Sequence, residues 1–331
     1  MIRRREFITL LGGAAAWPLA ARAQQSALPV VGFLAGETPE LRAGHVRAFR
    51  QGLSEQGYVE GRNFSFEFRW AEGRNDRLPA LAADLVRRQV GVLVAGGTPP
   101  ALAAKAATST IPILFDTGGD PIDLGLVSSL NRPGGNLTGA TSLNVEIGPK
   151  RLELLHELVP TARIIALLVN PTNPNGDALS RHVQTAARTL GLELHVLNAS
   201  TERDFDSAFA TLAQVQAGGL VIATDGYFLG QSEQLGTRVL RRRVPAIFAY
   251  HEFAAAGELV SYGGSLTDQY RLLGIYTARI LKGERAADLP VQQVTKVELI
   301  INLKSARALG LTVPLSLLAR ADEDLPPPRR L

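Results

Sequence analysis

Short apolar runs alternate with longer stretches of helical period along most of the chain. Val30-Val31-Gly32-Phe33-Leu34 has the length and β-branched content of a buried strand. Val46, Phe49 and Leu53 then mark one face of a helix that stops near Gly57. Residues 63–70 alternate as a strand, and Leu78, Leu81, Ala82, Leu85 and Val86 restore the helical stripe. Strands follow at 92–95 and 111–115, with a helix at 99–107 between them. A Gly/Pro/Asn-rich stretch, 131–139, reads as a connection. Helices at 147–159, 178–190, 204–215 and 232–242 are then interleaved with strands at 163–169, 192–197, 219–223, 245–248 and 259–262. Last come a helix lined by Leu266, Tyr270, Leu273, Thr277, Ile280 and Leu281, a strand at 297–301 and a short helix at 304–309.

Strands alternating with helices imply parallel sheets covered on both faces, joined by right-handed crossovers. Two such runs, about 28–130 and 160–260, predict an α/β fold of two Rossmann-like, doubly wound lobes. The C-terminal elements continue neither lobe simply. They are expected to return to lobe one and recross, which gives a multi-crossing hinge. The expected division is 28–144 plus about 264–290 for lobe one and 145–263 plus about 291–320 for lobe two. Residues 321–331 form an expected tail, frayed from Asp322 onward and ending in Pro326-Pro327-Pro328 and three further residues.

The first residues change the picture of where the chain works. Arg4-Arg5-Glu6-Phe7-Ile8 reads as a twin-arginine export motif, followed by an apolar stretch at 8–16 too short to span a bilayer. Ala21-Arg22-Ala23 supplies a cleavage site, so a signal peptide over 1–23 and export to the periplasm are expected. The net charge of +4 is concentrated in that leader; without it the chain is about +1, which is no footprint for nucleic acid. Arg241-Arg242-Arg243 reads as the solvated end of a helix. There is no cysteine, which excludes disulfides, thiolate metal sites and a catalytic thiol.

Ligands of open α/β sheets sit beyond the carboxyl ends of the strands, so the loops there are the candidate site. Gly96-Gly97-Thr98-Pro99-Pro100 suits a backbone approach at the glycines, a helix N-cap at Thr98 and a first helical position at Pro99, where an anion could meet free N–H groups. Asp116 and Thr117 follow the next strand, with Asp120-Pro121 as a turn. In lobe two Asn170 and Asn173 offer donors and acceptors, and Asp225 ends an apolar strand, where it suits a cationic ligand group. Phe33, Tyr227 and Tyr250 could pack on an apolar ligand body, with Glu252 beside them. No G-x-S-x-G elbow, phosphate loop or G-x-G-x-x-G fingerprint is present. The five histidines show no paired metal spacing, and His251-Glu252 is the one candidate acid/base pair. No catalytic residue, metal or cofactor is expected.

Several pieces in order resemble a known family. They include Asp120-Pro121 followed by Gly125-Leu126-Val127, then Asn131-Arg132-Pro133-Gly134-Gly135-Asn136-Leu137-Thr138-Gly139. Further on come Leu259-Val260-Ser261-Tyr262-Gly263, Ile280-Leu281-Lys282-Gly283, Asp288-Leu289-Pro290-Val291 and Leu299-Ile300-Ile301-Asn302-Leu303-Lys304. Ala308-Leu309-Gly310-Leu311 and Arg320-Ala321-Asp322-Glu323 complete the set. With these the chain resembles the ABC-transporter substrate-binding proteins of the tryptophan/tyrosine-type group. The resemblance implies a type I periplasmic-binding-protein-like fold and capture of an amino acid or aromatic amino-acid-like solute by hinge closure. It also implies delivery of the ligand to an ABC permease in the inner membrane, and a monomer is expected. A periplasmic sensor for a membrane receptor, or an α/β hydrolase-like enzyme, remain the alternatives.

Overall fold

The computed structural model describes residues 28–255, 259–294 and 296–325. The leader read over 1–23 and the proline run beyond residue 325 lie outside the described residues. In chain order the strands are β1 (Val30–Ala35), β2 (Ser65–Trp70), β3 (Val92–Gly96), β4 (Ile113–Thr117), β5 (Leu137–Thr141), β6 (Ile164–Val169), β7 (Glu193–Asn198), β8 (Gly219–Ile222), β9 (Ala246–Phe248), β10 (Val260–Gly264), β11 (Gln292–Gln293), β12 (Val297–Asn302) and β13 (Glu323–Leu325). They form two sheets. The first runs β11-β5-β4-β3-β1-β2, all parallel. The second runs β13-β12-β10-β9-β8-β6-β7 and is parallel except where β10 meets β12. Parallel strands need crossover helices that cover both faces. Accordingly β1, β3 and β8 are apolar and buried along almost their whole length, and β4 is buried throughout although it ends in Asp116-Thr117.

The helices are α1 (Pro39–Glu55), α2 (Leu78–Arg87), α3 (Thr98–Ala107), α4 (Gly148–Leu158), α5 (Asn175–Thr189), α6 (Glu202–Gln214), α7 (Gly226–Gly230), α8 (Ser232–Arg242), α9 (His251–Ala255), α10 (Leu266–Leu281), α11 (Leu303–Ala308) and α12 (Leu315–Leu318). The chain passes between the sheets three times: over 142–147, at Ser265, and between Gln293 and Val297. The second passage sends α10 back to the first sheet, where it packs along α1. That contact is backbone to backbone. A Cβ on Gly52 would lie 2.9 Å from the Arg271 carbonyl carbon, and one on Gly274 would lie 2.9 Å from the Leu53 nitrogen. Only glycine allows helices so close.

Two expectations need correction. The stretch 131–139 ends in a strand rather than a connection: β5 has the small sequence Leu-Thr-Gly-Ala-Thr and lies buried between β4 and β11. A Cβ on Gly139 would come within 2.7 Å of the Phe115 nitrogen, so no larger residue fits there. The tail is not frayed at its start. Leu299 N–H donates to the Asp322 carboxylate at 2.8 Å, Asp322 N–H returns a bond to Leu299, and β13 then pairs with β12.

Candidate functional site

The carboxyl ends of the two sheets face each other across a cleft of about 590 Å³, counting the solvent at its mouth. From the first sheet come Glu37 beyond β1, Asn75 beyond β2, Gly97 and Thr98 beyond β3, and Asp116 at the end of β4. From the second come Asn173 and Asn175 beyond β6, Thr224 and Asp225 beyond β8, and Tyr250 beyond β9. The lobes touch at the rim. Asn175 Nδ2 donates to Thr98 Oγ1 at 2.9 Å, and Asn75 Nδ2 donates to Thr172 Oγ1 at 3.2 Å. His45 Nε2 lies 3.0 Å from Glu252 Oε1, and a Cβ on Gly73 would stand 3.3 Å from the Tyr227 ring. This is a closed arrangement of the lobes.

Asp225 is the N-cap of α7. Its Oδ1 accepts from the backbone N–H of Tyr227 (2.9 Å) and Phe228 (3.3 Å) and from Asn170 Nδ2 (3.0 Å). Its Oδ2 accepts from Asn173 Nδ2 at 2.8 Å. Burial pushes this carboxyl upward despite those donors. In lobe one Arg42, on the first turn of α1, donates from Nη2 to Glu37 Oε1 at 2.6 Å. Both side chains are buried, and the guanidinium stands 5.2 Å from the centre of the Tyr270 ring. Burial is the largest single influence and opposes the Arg42 charge, but Glu37, Tyr270 and Asp116 together raise its pKa above the usual arginine value. Asp116 is pushed up to about 6, chiefly by burial, against the pull of Arg42 and His45.

Seven of the residues read from the sequence line this cleft: Gly97, Thr98, Asp116, Asn173, Asp225, Tyr227 and Tyr250. Two stand one layer behind. Thr117 Oγ1 lies 2.6 Å from Thr98 Oγ1, and Asn170 braces Asp225. Two lie elsewhere. Phe33 is fully buried within β1, packed among Phe49, Phe68, Trp70 and Tyr270. Glu252 opens on a separate cavity near the hinge with His251 and Ser261, and its carboxylate binds His45. The start of α3 also differs from expectation: Gly97 rather than Thr98 is its N-cap, and few donors are left there for an anion. Pro99 and Pro100 follow Thr98 and carry no N–H, so two of the first three helical donors are missing. Sequence reasoning missed Glu37, Arg42 and Asn75. Glu37 and Asn75 follow strands, so the strand-end rule reaches them; Arg42 gives no local signal.

Two doubly wound sheets joined by three strands of hinge, with a cleft between them, form the two-lobed fold of periplasmic binding proteins of known structure. The chain belongs to the ABC transporter substrate binding protein family, whose model matches residues 37–325. It is the solute-binding component of an ABC transporter, not an enzyme. Among its relatives is a Clostridioides difficile protein named "Tyrosine-binding protein", 26% identical over 266 residues, which are 80% of this chain and 76% of that one. A conserved domain protein of Vibrio cholerae superposes with a TM-score of 0.83 at 27% identity, covering 90% of this chain and all of that one. An ABC domain from Streptococcus pneumonia in complex with L-Trp gives 0.80 at 23% identity, covering 89% and 99%.

Proposed function

We propose that this protein captures a small amine-bearing solute, an amino acid or an amino-acid-like molecule, by closing its lobes, and hands it to an ABC permease from the periplasmic side of the inner membrane. The observation that carries this reading is the meeting of buried polar side chains from both sheets in one cleft. Thr98 and Asp116 from one lobe face Asn173 and Asp225 from the other. A ligand that touches both lobes binds the closed state better than the open one, so it shifts the equilibrium toward closure. The permease then meets a loaded protein whose shape differs from that of the empty one. The Trp- and Tyr-linked relatives favour aromatic amino acids as first candidates. Tyr227 and Tyr250 supply aromatic surface at the cleft. On this reading the leader over 1–23 is removed near Ala23, the mature chain works as a monomer, and the lobe boundaries fall at the three passages between the sheets.

The test is a thermal-shift and calorimetric screen of amino acids and their amines on the mature chain, with small-angle scattering on each binder. A binder should raise the unfolding temperature by mass action and reduce the radius of gyration. A tight ligand that leaves the radius unchanged overturns lobe closure.

A further inference from the structure

The charged side chains that line the cleft differ in what they have left to offer a solute. Asp225 has the least. Four donors already reach it, from Asn170, Asn173 and two backbone N–H groups, as many as a carboxylate has lone-pair sites. Asp116, on the opposite wall, has the most. It is 5% exposed, and among the described residues its carboxylate has no ion-pair partner. The Tyr270 hydroxyl faces it but closes no full hydrogen bond. A buried acceptor in that position calls for a donor from the solute.

Arg42 is 4% exposed and gives Glu37 one N–H of Nη2. Its Nε and Nη1 have no partner. The second N–H of Nη2 points along the other edge of the guanidinium, so together with Nε or Nη1 it leaves one edge with two parallel donors. Such an edge takes a carboxylate in two-pronged fashion, and Glu37 need not move. The start of α3, the other place for an anion, has lost two donors to Pro99 and Pro100. Arg42 and Asp116 act on each other's charge but form no ion pair, as two poles with a zwitterion between them should. Resting on the reading of this cleft as the solute site, we propose that lobe one alone pairs with both charges of the solute: the open edge of Arg42 takes a carboxylate, Asp116 takes the ammonium on the same carbon, and Asp225 is a brace rather than a ligand contact. The solute is then an α-amino acid with both groups free. Lobe two closes over it with neutral groups, the unpartnered Thr224 hydroxyl and the rings of Tyr227 and Tyr250.

The experiment is calorimetry on the mature chain at pH 7 with three probes of one body: L-tryptophan, tryptamine, which lacks the carboxylate, and indole-3-propionate, which lacks the amine. L-tyrosine, tyramine and 3-(4-hydroxyphenyl)propionate form a second set. The amino acid should bind at least about tenfold tighter than either analogue, since each leaves one buried charge unpaired. Arg42→Lys keeps a cation for Glu37 but loses the fork, so it should shrink the preference over the amine about tenfold and leave the amine itself unchanged. Asp116→Asn should shrink the preference over the propionate instead, and Asp225→Asn should change neither preference. If Arg42→Lys weakens amine and amino acid alike, Arg42 is scaffold and the proposal falls. It falls equally if Asp225→Asn, and not Asp116→Asn, removes the preference over the propionate, or if an analogue binds as tightly as the amino acid. These results leave solute capture standing, and the wild-type preferences decide even where a variant fails to fold. Silence of both sets overturns the amine-bearing reading as well.

Discussion

Closure of the lobes can be tested at one atom. Gly226 opens α7 in lobe two, directly opposite Glu37 of lobe one. A Cβ on Gly226 would fall 2.9 Å from Glu37 Cδ and nearer still to Oε1. The Gly226→Ala methyl therefore forces Glu37 back by roughly an ångström, since ordinary carbon contacts lie near 3.5–4 Å. Glu37 cannot retreat freely, because its other partner is Arg42 at 2.6 Å and both are buried. The two residues belong to different lobes, so the clash exists only when the cleft is shut. Overpacking of this kind costs about 1–3 kcal/mol. The whole penalty falls on the closed state, and ligand affinity should drop about 5–150-fold. Stability to urea should hardly change, because each lobe keeps its own core and alanine suits a helix better than glycine.

The assay is calorimetry with the tightest ligand from the screen, alongside scattering of the ligand-free protein, which should become more open. A double-mutant cycle with Glu37→Ala isolates the contact. Once the Glu37 side chain is gone, adding Gly226→Ala should cost less than about 0.5 kcal/mol, the usual limit of additivity. A folded Gly226→Ala protein with unchanged affinity would refute the closed geometry. So would a penalty that survives undiminished in the Glu37→Ala background.

Three further outcomes are expected. The Asp116 carboxyl is held at about 6 in the fold against 3.8 when unfolded, so its ionisation costs about 3 kcal/mol at neutral pH. The ligand-free protein should therefore gain urea stability as pH falls from 7 toward 5, Asp116→Asn should lack that gain, and a gain retained in the variant assigns it elsewhere. Arg151 is fully buried, its pKa lowered to about 10 by burial, and it donates from Nε to the Tyr262 carbonyl and from Nη1 and Nη2 to the carbonyl and side chain of Asn144. Arg151→Met strands those three acceptors and should cost about 3 kcal/mol in urea unfolding, while a loss below 1 kcal/mol would show that losing the buried charge offsets them. Gly274→Ala should lower the unfolding temperature, because its methyl meets the Leu53 nitrogen 2.9 Å away in the backbone of α1, which cannot swing aside; unchanged melting would mean that the helices can part at no cost.

What could be read in the sequence follows from how local each signal is. The doubly wound lobes were legible because a buried parallel strand needs an uninterrupted apolar run, and runs such as Val30–Ala35 and Ile164–Val169 supply one. β5 was hidden because its residues are chosen by a neighbour: Gly139 fits against the Phe115 backbone, and small residues carry no strand signal of their own. The strand-end rule pointed to Thr98, Asp116, Asn173 and Asp225, which line the cleft, for the same local reason. It misplaced Phe33, which lies inside a strand buried on both faces, where alternation cannot tell cleft from core. Arg42 was invisible because its burial is made at a distance. The ring above which it sits is Tyr270, on a helix that enters after a full circuit through the second lobe. That helix reaches Arg42 only because Gly52 and Gly274 let the backbones of α1 and α10 touch. Gly52 and Gly274 thus help to place the charge of a cleft up to two to three turns away. The strands and the loops at their ends speak through their neighbours in sequence, and the Glu37–Arg42 pair speaks through its neighbours in space.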